Sequence, residues 1–191
     1  MNAEYVTVYA GFDISTTTVG IAFFYDDKLV TTHVSRSKDE ELVNFADRVI
    51  AEFMLSLLDQ SIRKKLKLSL CIEEPAKAYA QGRTSAGTIS KLQFFNGMIT
   101  YGLHKLFAEV YSSYDYKFCH VSVSHGRKKC GYPNIKGSKN KKQDVFDDNL
   151  KRYPSKVSDW INKKTEKPYS WAYDESDAVV MAAVAKKTYC K

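Results

Sequence analysis

The chain has 191 residues, a length that predicts one domain in which folding buries roughly two-thirds of the unfolded surface. Its 29 Lys and Arg residues outnumber 22 Asp and Glu residues, and the net charge of +7 favours polyanionic partners. No apolar stretch reaches the roughly 20 residues of a membrane span, and no basic segment followed by an apolar one begins the chain. We therefore expect no membrane association and an intracellular, reducing setting.

The N-terminal third predicts a β-meander followed by a helix. Residues 5–13, 19–25 and 28–34 are rich in Val, Ile, Phe and Tyr, a composition typical of strands. From Ser37 onward apolar residues recur at helical spacing, and Ser37 with Glu40 predicts a capping box. This helix has about five turns and packs one face on the sheet.

The rest of the chain adds two strands, three helices and a basic segment. Residues 68–73 predict a strand buried on both faces, and the second amphipathic helix contains Gly97 and Gly102, which permit close backbone approach. A fifth strand is predicted at 117–123, a basic loop at about 125–143, a short helix at 141–152 and an Ala/Val-rich helix at 175–187. This order predicts an α/β fold with a central mixed five-stranded sheet flanked by helices.

Four acids lie at the ends of predicted elements: Asp13, Glu73, Asp174 and Asp177. The carboxyl ends of strands border the ligand crevice in open α/β sheets, so Asp13 and Glu73 converge if their strands are neighbours. Asp174 and Asp177 lie three residues apart, on one side of a helical turn. Such crowding of carboxylates is unfavourable without cations, and oxygen ligands suit Mg²⁺ or Mn²⁺. Two such ions about 4 Å apart could support phosphodiester cleavage.

Simpler roles exist for each of these residues. Aspartates in a first helical turn are commonly caps or dipole partners, and acids at strand ends are often only solvated. A zinc site at Cys119, His120, His125 and Cys130 matches no common ligand spacing, so we expect ordinary strand and loop residues there.

Several motifs, in this order, resemble those of RuvC-type Holliday junction resolvases of the RNase H-like superfamily. They are GFDISTTTVGIA, CIEEP, VSVSHGRKKC leading into KGSKNKKQDV, and DESDAVVMAAVA, spanning residues 6–187. The resemblance implies an RNase H-like fold with residues 1–191 as a single nuclease domain. It also implies a Mg²⁺-dependent endonuclease, usually a homodimer, that cuts four-way DNA junctions and leaves 5′-phosphate and 3′-hydroxyl ends.

Carried over by position, Asp13, Glu73, Asp174 and Asp177 resemble the metal-binding acids of that family. Glu74 is an alternative or supporting ligand. The basic stretch resembles a DNA-contacting region, and its candidate residues are Arg127, Lys128, Lys129, Lys136, Lys139, Lys141 and Lys142. The helix at 88–107 is the dimer surface that the resemblance implies.

Other functions are compatible with parts of the sequence. The first motif also resembles a phosphate loop of sugar kinases and actin-like ATPases, but the chain has only nine glycines and no second phosphate loop, so we expect no nucleotide cofactor.

A non-catalytic protein that binds branched DNA would gain nothing from clustered acids. A broader debranching nuclease for flaps, Y-forks and replication intermediates cannot be separated from a strict resolvase by sequence, since specificity depends on DNA shape.

The basic stretch and the aromatic residues around it also have two interpretations. Lysine-rich loops are usually only solvated, whereas a position near the acids favours contact with DNA. The aromatic candidates for stacking on unpaired bases are Tyr132, Trp160, Tyr169, Trp171 and Tyr173, and we expect at least half of them to pack against the core instead.

Overall fold

The protein is represented by a computed structural model that describes residues 5–25, 28–61, 65–75, 85–109, 115–133 and 140–189. Five strands form one sheet in the order β3-β2-β1-β4-β5. Their bounds are β1 Tyr5–Ile14, β2 Thr18–Tyr25, β3 Lys28–Ser35, β4 Lys65–Glu73 and β5 Asp115–Val121. The first three pair antiparallel, and β4 pairs parallel with both β1 and β5. The predicted mixed five-stranded sheet is confirmed.

The described residues also form helices on both faces of this sheet. Their bounds are α1 Leu42–Ser61, α2 Ala86–Glu109, α3 Val123–Lys129, α4 Lys141–Arg152, α5 Val157–Trp160 and α6 Ala172–Tyr189, with a 3₁₀ turn at Pro154–Lys156. None of the helices in these ranges is long and apolar enough to cross a membrane.

Successive side chains of a strand point to opposite faces of the sheet, and each face packs against a different set of helices. In β1, Val8, Ala10 and Phe12 belong to the core beneath α1 and α2, where aromatic rings dominate. Phe53 on α1 lies 5.1 Å from the ring of Phe12, between ring centroids. Gly102 on α2 lies close to α1 as predicted, because a Cβ added there would be 2.4 Å from Ile50 Cδ1. The same prediction is wrong for Gly97, where an added Cβ would meet no atom of the described residues within 4 Å.

The opposite face of the sheet lies directly against α6. A Cβ on Gly11 would lie 2.1 Å from the backbone N of Ala182, and one on Gly20 would lie 2.3 Å from the carbonyl oxygen of Asp174. Glycine at both positions therefore allows the helix backbone to touch the sheet. This contact explains why α6 is rich in alanine and valine, since it is buried on nearly all sides.

Two boundary predictions are wrong. Ser37 and Glu40 lie in a turn before α1. The Glu40 carboxylate accepts from the Ser37 N–H at 3.0 Å, as in a capping box, and binds Arg48 at 2.6 Å, but the helix begins only at Leu42, so Ser37 is not its N-cap. The strand predicted at 117–123 ends at Val121.

The basic segment at 125–143 is also not a continuous loop. Its first part is helical through Lys129 in α3, and α4 begins at Lys141 as predicted. Gly126 accounts for the short helix: it is buried against α6, where a Cβ would lie 3.1 Å from Met181 Cε. Packing on α6 therefore orders residues whose composition predicts a loop.

Gly11→Ala should destabilise the protein, because the added methyl group meets backbone atoms that cannot move independently. We expect a loss of about 1–3 kcal/mol or more in the free energy of unfolding, measured by chemical denaturation. Gly97→Ala is the matched control, since a Cβ there has nothing within 4 Å and lies inside α2. It should raise stability by about 0.5–1 kcal/mol through helix propensity. Equal effects of the two variants would contradict the close contact between α6 and the sheet.

Candidate active site

Asp13 and Glu73 lie side by side at the carboxyl ends of two parallel strands. The register pairs Phe12 with Ile72, so the next residues along β1 and β4 are these two acids. Their carboxyl groups are hydrogen-bonded to each other, and Asp13 is only 8% exposed. The two strands are thus neighbours, as convergence of the acids requires.

The environment of this pair disfavours two negative charges. Burial, followed by the hydrogen bond and the charge of Glu73, holds the pKa of Asp13 well above its usual range. Burial also raises the pKa of Glu73, and the charge of Asp177 adds to that effect. Two carboxylates in direct contact repel each other, so this pair favours a proton or a cation between them.

The first two turns of α6 bring two further acids, Asp174 and Asp177, to this edge of the sheet. Contact between Gly20 and the backbone of Asp174 sets the position of the first turn over β2. Asp177 is 3% exposed, whereas the side chain of Asp174 is 21% exposed. Burial raises the pKa of Asp174, and the neighbouring Lys142 opposes that effect.

Two basic side chains lie among these acids. Arg127 on α3 donates to Asp177 Oδ1 at 2.7 Å, and its charge also acts on Glu73. Lys142 Nζ lies 3.4 Å from Asp174 Oδ1 and 3.7 Å from Asp177 Oδ2. The pKa of Lys142 is raised, because the charges of the surrounding acids outweigh its burial, which alone would lower it. Each of the four predicted acids is therefore in contact with another acid or with one of these cations.

A buried hydrogen-bond network aligns Lys142 with the acids. Asn149, two turns after Lys142 on α4, is fully buried and donates to the carbonyl and hydroxyl oxygens of Ser176 at 2.9 and 2.8 Å. It also accepts from the hydroxyl of Tyr132 at 2.7 Å. Because residues seven apart lie on one helix face, this anchor directs Lys142 toward α6.

The remaining predicted basic residues have different positions. Lys128 and Lys141 line a cavity of about 730 Å³ together with Arg127 and His125. Lys129 instead donates to Thr188 at 2.7 Å, near the far end of α6 and about 16 Å along the helix from Asp177. Lys136 and Lys139 lie outside the described residues.

Glu74 follows the last residue of β4, and its N–H donates to the Val121 carbonyl at 3.0 Å, so it continues the alternation of the strand. Burial lowers the pKa of His120, and the charge of Glu74 opposes that effect, so Glu74 faces the His120 side of the sheet. Alternation along the strand therefore separates it from the acid pair.

The Ser/Thr turn after Asp13 is closed by its own hydroxyl group. Ser15 Oγ donates to the Thr18 carbonyl at 2.8 Å and accepts from the Thr18 N–H at 3.0 Å. This arrangement fixes the β1–β2 hairpin directly beside Asp13.

Sequence reasoning missed Glu175, which lies between the predicted acids of α6. It is buried, its Oε1 lies 2.9 Å from His33 Nδ1, and its Oε2 accepts from Trp160 Nε1 at 2.7 Å. In the sequence, the one feature that connected Glu175 with the site was its position in the segment DESD, residues 174–177. The two aspartates of that segment are more obvious ligand candidates.

The donor chemistry of the site fits a divalent cation. Within the described ranges, no three Asp, Glu, His or Cys side chains are arranged to hold a metal ion. Arg127 and Lys142 instead neutralise part of the acidic charge. The four acids supply only oxygen donors, and Asp13 and Glu73 need a proton or a cation between them, so a hard divalent ion suits this set. Their assignment as metal ligands stays a prediction.

Two solved structures have the same fold as this chain. One is RuvC of T. thermophilus in complex with a Holliday junction substrate, with a TM-score of 0.54 and 16% identity over 95% of this chain and 93% of that one. The other is the yeast mitochondrial Holliday junction resolvase Ydc2, with a TM-score of 0.53 and 14% identity over 97% of this chain and 78% of that one. No protein-family model matches the sequence, and neither does the sequence of any curated protein. The chain therefore has the fold of these two structures, the RuvC-type fold that the sequence motifs implied.

If these acids bind a divalent ion, Mg²⁺ should stabilise the folded protein by mass action. We expect Mg²⁺ to raise the melting temperature of the wild type by about 2–4 °C per kcal/mol of binding energy, compared with EDTA. Asp13→Asn should remove most of this increase. Asp39→Asn, at an exposed aspartate before α1, is the control and should respond like the wild type. An equal Mg²⁺ response in the Asp13 and Asp39 variants would exclude Asp13 as a ligand.

Proposed function

We propose that this protein is a metal-dependent, structure-specific DNA endonuclease that resolves four-way junctions. The observation that carries the proposal is the cluster of Asp13, Glu73, Asp174 and Asp177 at one edge of an RNase H-like sheet. Similarity to two resolvase structures that cover nearly all of this chain supports it. Residues 1–191 would then act as one nuclease domain.

The chemistry follows from the donor set. Asp13, Glu73 and Asp177 would hold two Mg²⁺ ions, with Asp174 completing the site and Mn²⁺ able to substitute. Bound metal would supply a more acidic water and stabilise the leaving oxygen. Asp174, the more exposed of the two α6 aspartates, would orient the attacking water, and hydrolysis in line would leave 5′-phosphate and 3′-hydroxyl ends.

The basic side chains have separate roles in this mechanism. Lys142 Nζ lies 3.4 Å from Asp174, the more exposed of the two α6 aspartates, so it would neutralise charge that grows on the phosphoryl oxygens. Arg127 would hold the Asp177 carboxylate in position through its 2.7 Å contact. Lys128 and Lys141, which line the adjacent cavity, would bind the DNA backbone.

A homodimer would match the symmetry of a four-way junction. The exposed face of α2 supports the placement of its interface there. Phe94 and Tyr101 are 65% and 68% exposed. Gly97 lies between them on the same helix face, and a Cβ added to it would meet no atom of the described residues within 4 Å. Large exposed apolar side chains in one stripe are typical of an interaction surface.

Cleavage of defined substrates tests the whole proposal. Four-way, flap, Y-shaped and linear DNA should be incubated with the protein in Mg²⁺ and in EDTA. We expect paired cuts in the four-way junction in Mg²⁺ alone, with ends that DNA ligase can rejoin. Cutting of flaps and Y-forks at equal rates would favour a debranching nuclease instead. Binding without cutting in any metal would favour a non-catalytic protein.

Asp13→Asn should abolish cutting and keep junction binding, because it removes a candidate ligand and leaves the basic surface intact. Gel-shift and cleavage measurements on the same preparation separate the two effects. Cutting at the wild-type rate by this variant would show that the site is misassigned.

Lys142→Ala should lower the cleavage rate at saturating DNA by about 10²–10³-fold, as expected when one preorganised charge is lost from the reacting phosphate. Lys151→Ala provides the control, since Lys151 is an exposed lysine near the other end of the same helix. Its cleavage rate should stay near that of the wild type. A similar loss of cleavage rate in both variants would mean that Lys142 contributes only to the overall positive charge and has no specific role at the reacting phosphate.

A further inference from the structure

Three aromatic rings form a continuous stack beside the acid cluster. Tyr169 and Trp171 are parallel within 7° at 5.1 Å, and Trp171 and His33 are parallel within 10° at 4.1 Å, between ring centroids. Tyr169, at the outer end, is 37% exposed. The stack therefore ends at an aromatic ring that is accessible to solvent.

Hydrogen bonds hold the inner end of this stack in place. His33 Nδ1 contacts the buried Glu175 carboxylate, which also accepts from the indole of the fully buried Trp160. A ring held in this way loses little conformational entropy when a ligand stacks on it. Trp160, by contrast, packs in the core.

The register of the sheet sets the distance between the stack and the acids. His33 pairs with Gly20, and Gly20 pairs with Asp13, so the three residues lie in one row across β3, β2 and β1. Two strand spacings separate His33 from Asp13 by about 10 Å. The cavity lined by Arg127 and Lys128 lies on the β5 side of the acids, so the acids lie between it and the stack.

A cavity at the acid cluster extends to Ser170, the residue between Tyr169 and Trp171. It has a volume of about 360 Å³ and is lined by Lys142 and Asp174 of the acid cluster and by Ser170, the neighbour of Tyr169. The Trp171 carbonyl accepts from the backbone N–H of Asp174 at 3.1 Å, so the stack and the first turn of α6 are directly joined.

The turn that precedes Tyr169 has a positive surface. Ile161 and Pro168 form an isolated bridge, and the turn between them exposes Lys163, Lys164 and Lys167 against one acid, Glu166. The Asn162 side chain accepts from the Lys164 N–H at 2.9 Å and fixes the turn. Exposed lysines around an aromatic platform suit a nucleic acid strand, since they bind phosphates while the ring contacts a base.

We propose that Tyr169 is a binding subsite for a nucleobase that is unpaired at the branch point of a DNA junction. This inference rests on the proposed function. In a continuous duplex each base is covered by its neighbours, whereas a branch point leaves a base face free for stacking. The stack would hold that base on the β3 side of the acids, beyond His33 and Trp171, so that a backbone phosphate of the same strand enters the acid cluster. Tyr169 is thus a specificity-determining residue for branched DNA.

The test compares Tyr169→Leu, which keeps an apolar side chain, with Tyr169→Phe, which keeps the ring. Both are made in the Asp13→Asn protein, so that bound DNA is not cut. Each is titrated with a four-way junction and with a duplex of the same arm sequence. The junction also carries 2-aminopurine at the branch point, whose fluorescence falls when an aromatic ring stacks on it.

We expect Tyr169→Leu to weaken junction binding by about 5- to 150-fold, as the loss of one base–aromatic stack predicts. Duplex affinity should not change, and the melting temperature should fall only by the few degrees that loss of the Tyr169–Trp171 stack predicts. Tyr169→Phe should restore both junction affinity and fluorescence quenching. Unchanged junction binding in the Leu variant, or an equal loss on junction and duplex, would overturn the inference. If the Asp13→Asn parent binds junction and duplex equally, the proposed function itself fails.

Replacing Lys163 and Lys164 together by Ala tests the second part of the subsite. It should weaken binding of junction and duplex by the same factor and reduce the slope of log affinity against log salt by about two. An unchanged slope would place this turn outside the DNA path and overturn the assignment of its lysines.

Discussion

Repulsion between buried carboxylates is the constraint on which the arrangement of this protein depends. Asp13 and Asp177 are almost completely shielded from water, and Asp13 shares a hydrogen bond with Glu73. Burial without neutralisation would cost far more than a folded domain can supply, so each acid has a proton, a cation or a basic side chain beside it. Arg127 and Lys142 provide part of that compensation. The remaining demand for positive charge is what makes this edge of the sheet suitable for divalent ions.

The contact between α6 and the sheet creates this crowding. Gly11 and Gly20 remove the side chains that would hold the helix away, so the backbone of α6 rests on β1 and β2. Its first turn is thereby fixed over the ends of the strands that carry Asp13 and Glu73. A stable fold and an unfavourable charge cluster thus result from the same packing. A locally unfavourable interaction, such as this repulsion between carboxylates, in a fold that is otherwise stable is typical of functional sites.

The two sides of the acid cluster differ in chemistry. Toward β5, α3 and the start of α4 present arginine and lysine around a large cavity. Toward β3, an aromatic stack ends at Tyr169 beside exposed lysines. Backbone phosphates interact with the first kind of surface and exposed bases with the second, so a strand that crosses the acids would meet both. Under the proposed function, this asymmetry would favour branched DNA over a regular duplex.

The sequence by itself determined the strands, the long helices and the four acids, because hydrophobic periodicity is local and a carboxylate that interrupts an apolar run is conspicuous. Only the tertiary structure decided which lysine faces those acids. Lys128, Lys129, Lys141 and Lys142 are chemically equivalent in the sequence, and the buried bond from Asn149 to Ser176 selects Lys142. The helical form of α3 depends in the same way on packing of Gly126 against Met181. The structure also revealed the role of Glu175, since its partners His33 and Trp160 are distant in sequence. Contacts between remote residues depend on how the elements pack, and local patterns carry no information about that.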